Sequence, residues 1–93
     1  MVSPEQSRAA RGWLGWSQGD LAKRADVALS TVRDFERGRR TPIQNNLAAM
    51  RDAFASAGVY MQMSDGGRPV GIMVVQVIAQ SGPQIQKPSE NRR

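Results

Sequence analysis

"LGWSQGDLAKRADVALSTVRDFERGRRTP", residues Leu14 to Pro42, decides the fold, because it sets two short amphipathic segments almost end to end. Ser17-Gln18-Gly19-Asp20 is a helix start, a capping serine with an acid three residues on. Leu21, Ala22 and Ala25 then fall on one face, and Asp26 sits where a turn is needed. The next helix spans Leu29 to about Arg37, with Val32 and Phe35 pointing inward. Ser30, Thr31, Arg33 and Asp34 point outward, and Gly38 closes the segment as a left-handed C-terminal residue. The small Ala22 and Ala25 let the two helices approach closely.

Outward from this centre, Ser3-Pro4-Glu5-Gln6 predicts an earlier helix, with serine as cap, proline in the first turn and Gln6 completing a capping box. It runs to about Leu14 and stops at Gly15, with Ala10, Trp13 and Leu14 on its inner side and Ser7 a weaker member. Gly12 inside it costs about 1 kcal/mol relative to alanine. Trp13 and Trp16 are read as core and edge packing. Beyond Thr41-Pro42, Leu47, Met50, Phe54 and Ala57 recur at helical spacing, which predicts a fourth helix from Asn45 or Asn46 to Ala57, ended by Gly58.

The period then changes. Val59–Met63 and Gly71–Ala79 are strand-like and flank Ser64-Asp65-Gly66-Gly67-Arg68-Pro69, a hairpin signal with a longer loop than the two-residue ideal. In the second strand Ile72, Val74 and Ile78 share one face, and Met73, Val75 and Val77 share the other. A strand apolar on both faces is usually covered on both. The helices can cover one, and a second protomer is expected on Met73, Val75 and Val77; a strand folded wholly into its own small core is the alternative. From Gln80 the composition offers nothing to bury, so residues 80–93 are expected to be a disordered tail. The expected organisation is a helical domain over 1–58, a β-hairpin over 59–79 that serves dimerisation, and the tail.

With 93 residues there is room for one compact domain. Neither cysteine nor histidine is present, which removes disulfides, thiolate metal sites and the commonest general base. Eight scattered carboxylates make a poor catalytic set, and Asp34 and Glu36 face different sides of one helix. Gly66-Gly67 lacks the lysine and following helix of a phosphate loop. No enzyme activity, cofactor or metal is therefore expected. The net charge is +5 and eleven of thirteen basic residues are arginine, a balance that favours a polyanionic partner. No signal peptide or apolar run long enough to span a membrane is visible, so a cytoplasmic location without membrane contact is expected.

Two short helices joined by a tight turn, the second exposing polar groups, form a helix-turn-helix. Short polar side chains near the N-terminal end of the second helix can reach base edges in a DNA major groove. Helix N-termini and arginines can hold phosphates.

The elements "WSQ-x-x-LA-x-x-A" and "STVRDFE-x-G-x-R-x-P", followed by spaced Leu47, Met50 and Phe54, resemble the Cro/lambda-repressor type of helix-turn-helix over about Pro4 to Gly58. The resemblance implies a mainly α, lambda-repressor-like domain of about four helices, here with a C-terminal β-hairpin in place of the last repressor helix. It implies a transcriptional regulator that binds double-stranded DNA; with the dimerising strand, a homodimer on a palindromic operator is expected, and a repressor rather than an activator, because nothing in the sequence looks like a surface for recruiting polymerase. By position it makes Ser17 a phosphate-contacting cap and Gln18 a backbone and base contact. Leu29, Ser30 and Asp34 would face bases, with Thr31 and Arg33 beside phosphates or neighbouring bases. Arg39 and Arg40 match the basic loop that would follow the DNA strand, and the cluster Arg37, Arg39 and Arg40, directly behind the second helix, is expected to contact phosphates rather than only solvent. Arg11 and Glu36 match a buried ion pair tying the first helix to the third, a structural role. Ala28 departs from the usual capping serine or threonine, so the helix at Leu29 starts without that cap. Two other classes stay open: an antitoxin that also captures a partner protein through hairpin or tail, and an interaction module without DNA contact.

Overall fold

The structure, a computed structural model, describes residues 1–75. Four helices, α1 (Pro4–Leu14), α2 (Gln18–Ala25), α3 (Leu29–Glu36) and α4 (Gln44–Ser56), precede two strands, β1 (Val59–Met63) and β2 (Pro69–Val74). The chain is thus mainly helical with a C-terminal antiparallel hairpin. The expected extension of β2 through Val77 and Ile78 to Ala79, and the expected tail, lie outside the described residues.

The helix starts follow from local chemistry. Ser3 accepts from the Gln6 N–H while the Gln6 side chain accepts from the Ser3 N–H, and Ser17 and Asp20 form the same reciprocal box at α2. Gly15 ends α1 in the left-handed region. Asp26 does the same for α2 at φ 57, a conformation aspartate tolerates better than most residues. Its N–H reaches Ala22 O and Lys23 O, which closes the turn and sends the chain directly into α3. The helix α4 begins one residue earlier than expected, at Gln44, because the extended backbone of Ile43 already offers its carbonyl to Asn46 and Leu47.

Leu21, Val32, Met50, Phe54 and Val59 are fully buried at the junction of α2, α3, α4 and β1. Removing such a side chain costs about 2–5 kcal/mol. Trp16 stacks on Phe54 with centroids 5.7 Å apart, and the Arg24 guanidinium lies 4.4 Å above the Trp16 ring.

Two expected core positions are corrected. Trp13 is 62% exposed. The buried side of α1 carries Gln6, Ser7 and Ala10, and Trp13 lies off that side. Ala57 is the exposed C-cap of α4 and lies beyond the last inward turn, which ends with Phe54.

The hairpin pairs Val59 with Val74, Tyr60 with Met73, Met61 with Ile72 and Gln62 with Gly71; the register then shifts so that Met63 meets Pro69. The second strand therefore starts two residues before the expected Gly71. Ser64 N–H donates to Arg68 O to close the loop, and proline, with no N–H to contribute, sits beside the irregularity that Val70 creates. Val59, Met61, Ile72 and Val74 turn towards the helices, while Tyr60, Met73 and Val75 are 43%, 51% and 45% exposed.

The hairpin is closed at its base by Gly58. Gly58 itself adopts φ 87, and a Cβ built there would lie 2.6 Å from Val75 O. Val75 N–H donates to Gly58 O at 2.8 Å across the same junction. Gly58→Ala is expected to cost about 1–3 kcal/mol through backbone strain and displacement of Val75. A thermal melt that matched wild type would show the junction to be slack.

Candidate nucleic-acid interface

The outward side of the helix-turn-helix is built from α3 and the corner behind it. Position Ala28 makes no side-chain cap, so the first N–H groups of α3 face outward without a side-chain acceptor. Leu29, Ser30 and Arg33 are exposed, and Thr31 and Asp34 are half-buried. Helical spacing puts Leu29 and Arg33 in one row and Ser30 and Asp34 in the next. Ser30, Thr31 and Asp34 form one wall of a groove of about 240 Å³, and Arg40 to Ile43 with Asn46 form the other.

The corner is shaped by the main chain. Gly38 adopts φ 75, and Asp34 O then accepts from both Arg39 N–H (2.9 Å) and Arg40 N–H (3.4 Å). The chain thereby folds back over the end of α3 and leaves Arg37, Arg39 and Arg40 exposed. None of these, nor Arg33, is in a salt bridge among the described residues. Arg40 thus lines the groove itself, and Arg33, Arg37 and Arg39 are exposed on the same stretch of chain. The N-terminus of α4 opens beside them with no side-chain cap, adding its positive dipole end. Ile43, 68% exposed, and Asn46 also belong to this surface. Sequence reading passed over both; Thr41-Pro42 just ahead of a helix start was the available signal.

Ser17 and Gln18 lie at the start of α2, Ser17 exposed and Gln18 half-buried. The Ser17 side chain is engaged by Asp20 N–H at 2.9 Å. Gln18 Nε2 donates to Glu36 Oε1 at 3.1 Å. That bond commits one amide hydrogen inward and leaves the other, with the carbonyl oxygen, for an outer partner. Met73 and Val75 stand on the hairpin, away from these groups, and Val77 lies outside the described residues.

Beneath the surface a polar knot holds α3 in place. Glu36 accepts from Arg11 Nε (2.9 Å), Arg11 NH2 (2.6 Å), Ser7 Oγ (2.5 Å) and Gln18 Nε2 (3.1 Å). The Arg8 guanidinium donates to the Glu36 main-chain oxygen, and Arg11 NH1 donates to Trp16 O at 3.1 Å. One carboxylate thus ties α1 and α2 to the end of α3. Burial alone would push the Glu36 carboxyl up, but the hydrogen bonds from Arg11, Ser7 and Gln18 and the Arg11 charge outweigh it, so its pKa is lowered. Its bond to Glu36 conversely raises Arg11.

A carboxylate with a depressed folded pKa stabilises the fold fully above its unfolded value, near 4.5, and the gain is lost as pH falls through the lower folded value. Melting temperatures of wild type should therefore fall below pH 4.5 more steeply than those of Glu36→Gln. Parallel curves would deny Glu36 that role.

A family model described as helix-turn-helix, of the Cro/C1 type, matches residues 8–56, from α1 through the last turn of α4. The chain belongs to the Cro/C1-type helix-turn-helix family. As a Cro/C1-type domain it is DNA-binding and of the transcription-regulator class. The match ends before the hairpin, which this helix-turn-helix chain carries in addition. No curated protein matches the chain in sequence. Among the described residues no helix is long and apolar enough to cross a membrane, and no cluster of metal-ligating side chains occurs.

Proposed function

We propose that the chain is a repressor that binds a palindromic operator as a homodimer, in the cytoplasm where its DNA lies. Ser30 and Asp34 contact base edges, Leu29 packs on apolar base surface such as a thymine methyl, and Thr31 and Arg33 lie beside phosphates or adjacent bases. Ser17, Gln18, Arg37, Arg39 and Arg40 hold the backbone on either side. The observation that carries this reading is the groove beside Ser30, Thr31 and Asp34, open to solvent and lined by Arg40, with Arg33, Arg37 and Arg39 exposed nearby in the chain and in no salt bridge among the described residues. An ordinary solvated helix face needs neither the groove nor the one-sided charge.

A single module of this kind covers about 600–1,000 Å² on DNA, against roughly 1,000–2,500 Å² for specific complexes in general. A second copy supplies the missing footprint. Tyr60, Met73 and Val75, exposed and apolar on the outer hairpin face, support a second protomer as their cover. Repression follows from occupancy alone: two such heads on a promoter exclude other proteins.

Selection of bound duplexes from a random pool, with sedimentation at the same protein concentrations, tests the proposal. Inverted half-sites and two chains per duplex are expected. A non-repeating site held by one chain would overturn the homodimer, and a pool without enrichment would overturn sequence-specific binding.

A further inference from the structure

We propose that Gln6 is a positioning residue that sets the separation of the two DNA half-sites, an inference that rests on the hairpin-mediated homodimer above. Gln6 is buried, and its side-chain amide makes three hydrogen bonds. The oxygen accepts from Ser3 N–H at 3.0 Å, which caps α1. The nitrogen donates to Gln62 O at 3.0 Å and Gly71 O at 2.8 Å, one on each strand. These are the only side-chain hydrogen bonds between the helices and the hairpin among the described residues. They fall on the pair next to the register shift, where the ladder is least able to hold its own geometry.

The remaining attachment is less directional. Val59, Met61, Ile72 and Val74 pack on the helices, and apolar packing tolerates sliding better than a hydrogen bond does. At one end a main-chain hydrogen bond from Val75 N–H to Gly58 O closes the base of the hairpin but involves no side chain of α1 to α3. Gln6 pins the opposite end of the hairpin to α1, which Arg11 and Ser7 in turn lock to α3 through Glu36. The angle between the outer hairpin face and the DNA-facing helix therefore passes through one glutamine. In a dimer joined at that face, a change of angle moves one DNA-reading helix relative to the other. A lone copy on a single half-site is unaffected.

The test compares wild type, Gln6→Glu and Gln6→Met on duplexes carrying two selected half-sites, their separation stepped one base pair at a time, and on duplexes with one half-site. Gln6→Glu keeps an acceptor for Ser3 N–H but turns an oxygen towards two carbonyls. Gln6→Met keeps the volume and removes both donors, and carries the test if the glutamate variant fails to fold. Melting curves confirm folding.

Wild type is expected to prefer one separation. The folded variants are expected to keep single half-site affinity and lose that preference about tenfold, the scale of two hydrogen bonds. A variant profile identical to wild type, or an equal loss on the single half-site, overturns the role of Gln6 while leaving the dimer intact. A wild-type chain indifferent to separation overturns the dimer reading itself, and this proposal with it.

Discussion

Replacing Arg39 and Arg40 together with alanine should lower affinity about 30-fold at 0.15 M salt, taking two lost phosphate contacts at ~0.9 released counterions each. The slope of log affinity against log salt should drop by close to two in magnitude, for operator and unrelated DNA alike. The reason lies in the corner. Asp34 O holds both arginine N–H groups, so the side chains leave the surface from a fixed main chain, with no acid paired to them among the described residues. Neither residue is buried or supports the core. The loss should therefore come with an unchanged melt, and filter-binding titrations at several salt concentrations measure it. An unchanged salt slope would remove both arginines from the DNA backbone.

The largest stability effect is expected at Arg11. Arg11→Ala leaves the Glu36 carboxylate buried with only Ser7 and Gln18 as donors, and strips Trp16 O of its partner. Breaking a buried pair from one side costs about 3–5 kcal/mol. That is a large share of the roughly 5–15 kcal/mol a domain possesses, and corresponds to a fall of roughly 12–40 °C in Tm. Removing both partners as Arg11→Met with Glu36→Leu should cost much less, because no charge is then stranded. Circular-dichroism melts of the single and double variants separate the two cases. Equal losses in both would mean that the pair contributes packing rather than charge compensation.

Much of the helical body is readable from residues close together in sequence. Ser3 with Gln6 and Ser17 with Asp20 announce their helices within four residues, and Gly15, Asp26, Gly38 and Gly58 each end an element with a positive φ. Val32, Phe35, Leu47, Met50 and Phe54 declare their inward faces by spacing alone. The features that are not legible locally depend on distant partners. Nothing local says that Gln6 is buried, since its acceptors are 56 and 65 residues away. Trp13 carries the strongest apolar signal in α1 yet is left bare, because which side of a helix is covered depends on where its neighbours stop. Val2 joins the core from a position before the first cap, where no periodicity exists to reveal it. Ile43 and Asn46 belong to the groove beside α3 only because the corner folds back on that helix.

The most direct measurement is a base-by-base preference profile, read from selected duplexes, for wild type, Ser30→Ala and Asp34→Ala. Each variant should lose discrimination at one or two base pairs of each half-site, by about 1–3 kcal/mol, and keep the wild-type pattern elsewhere. Profiles identical to wild type in both variants would contradict a base-reading face on α3.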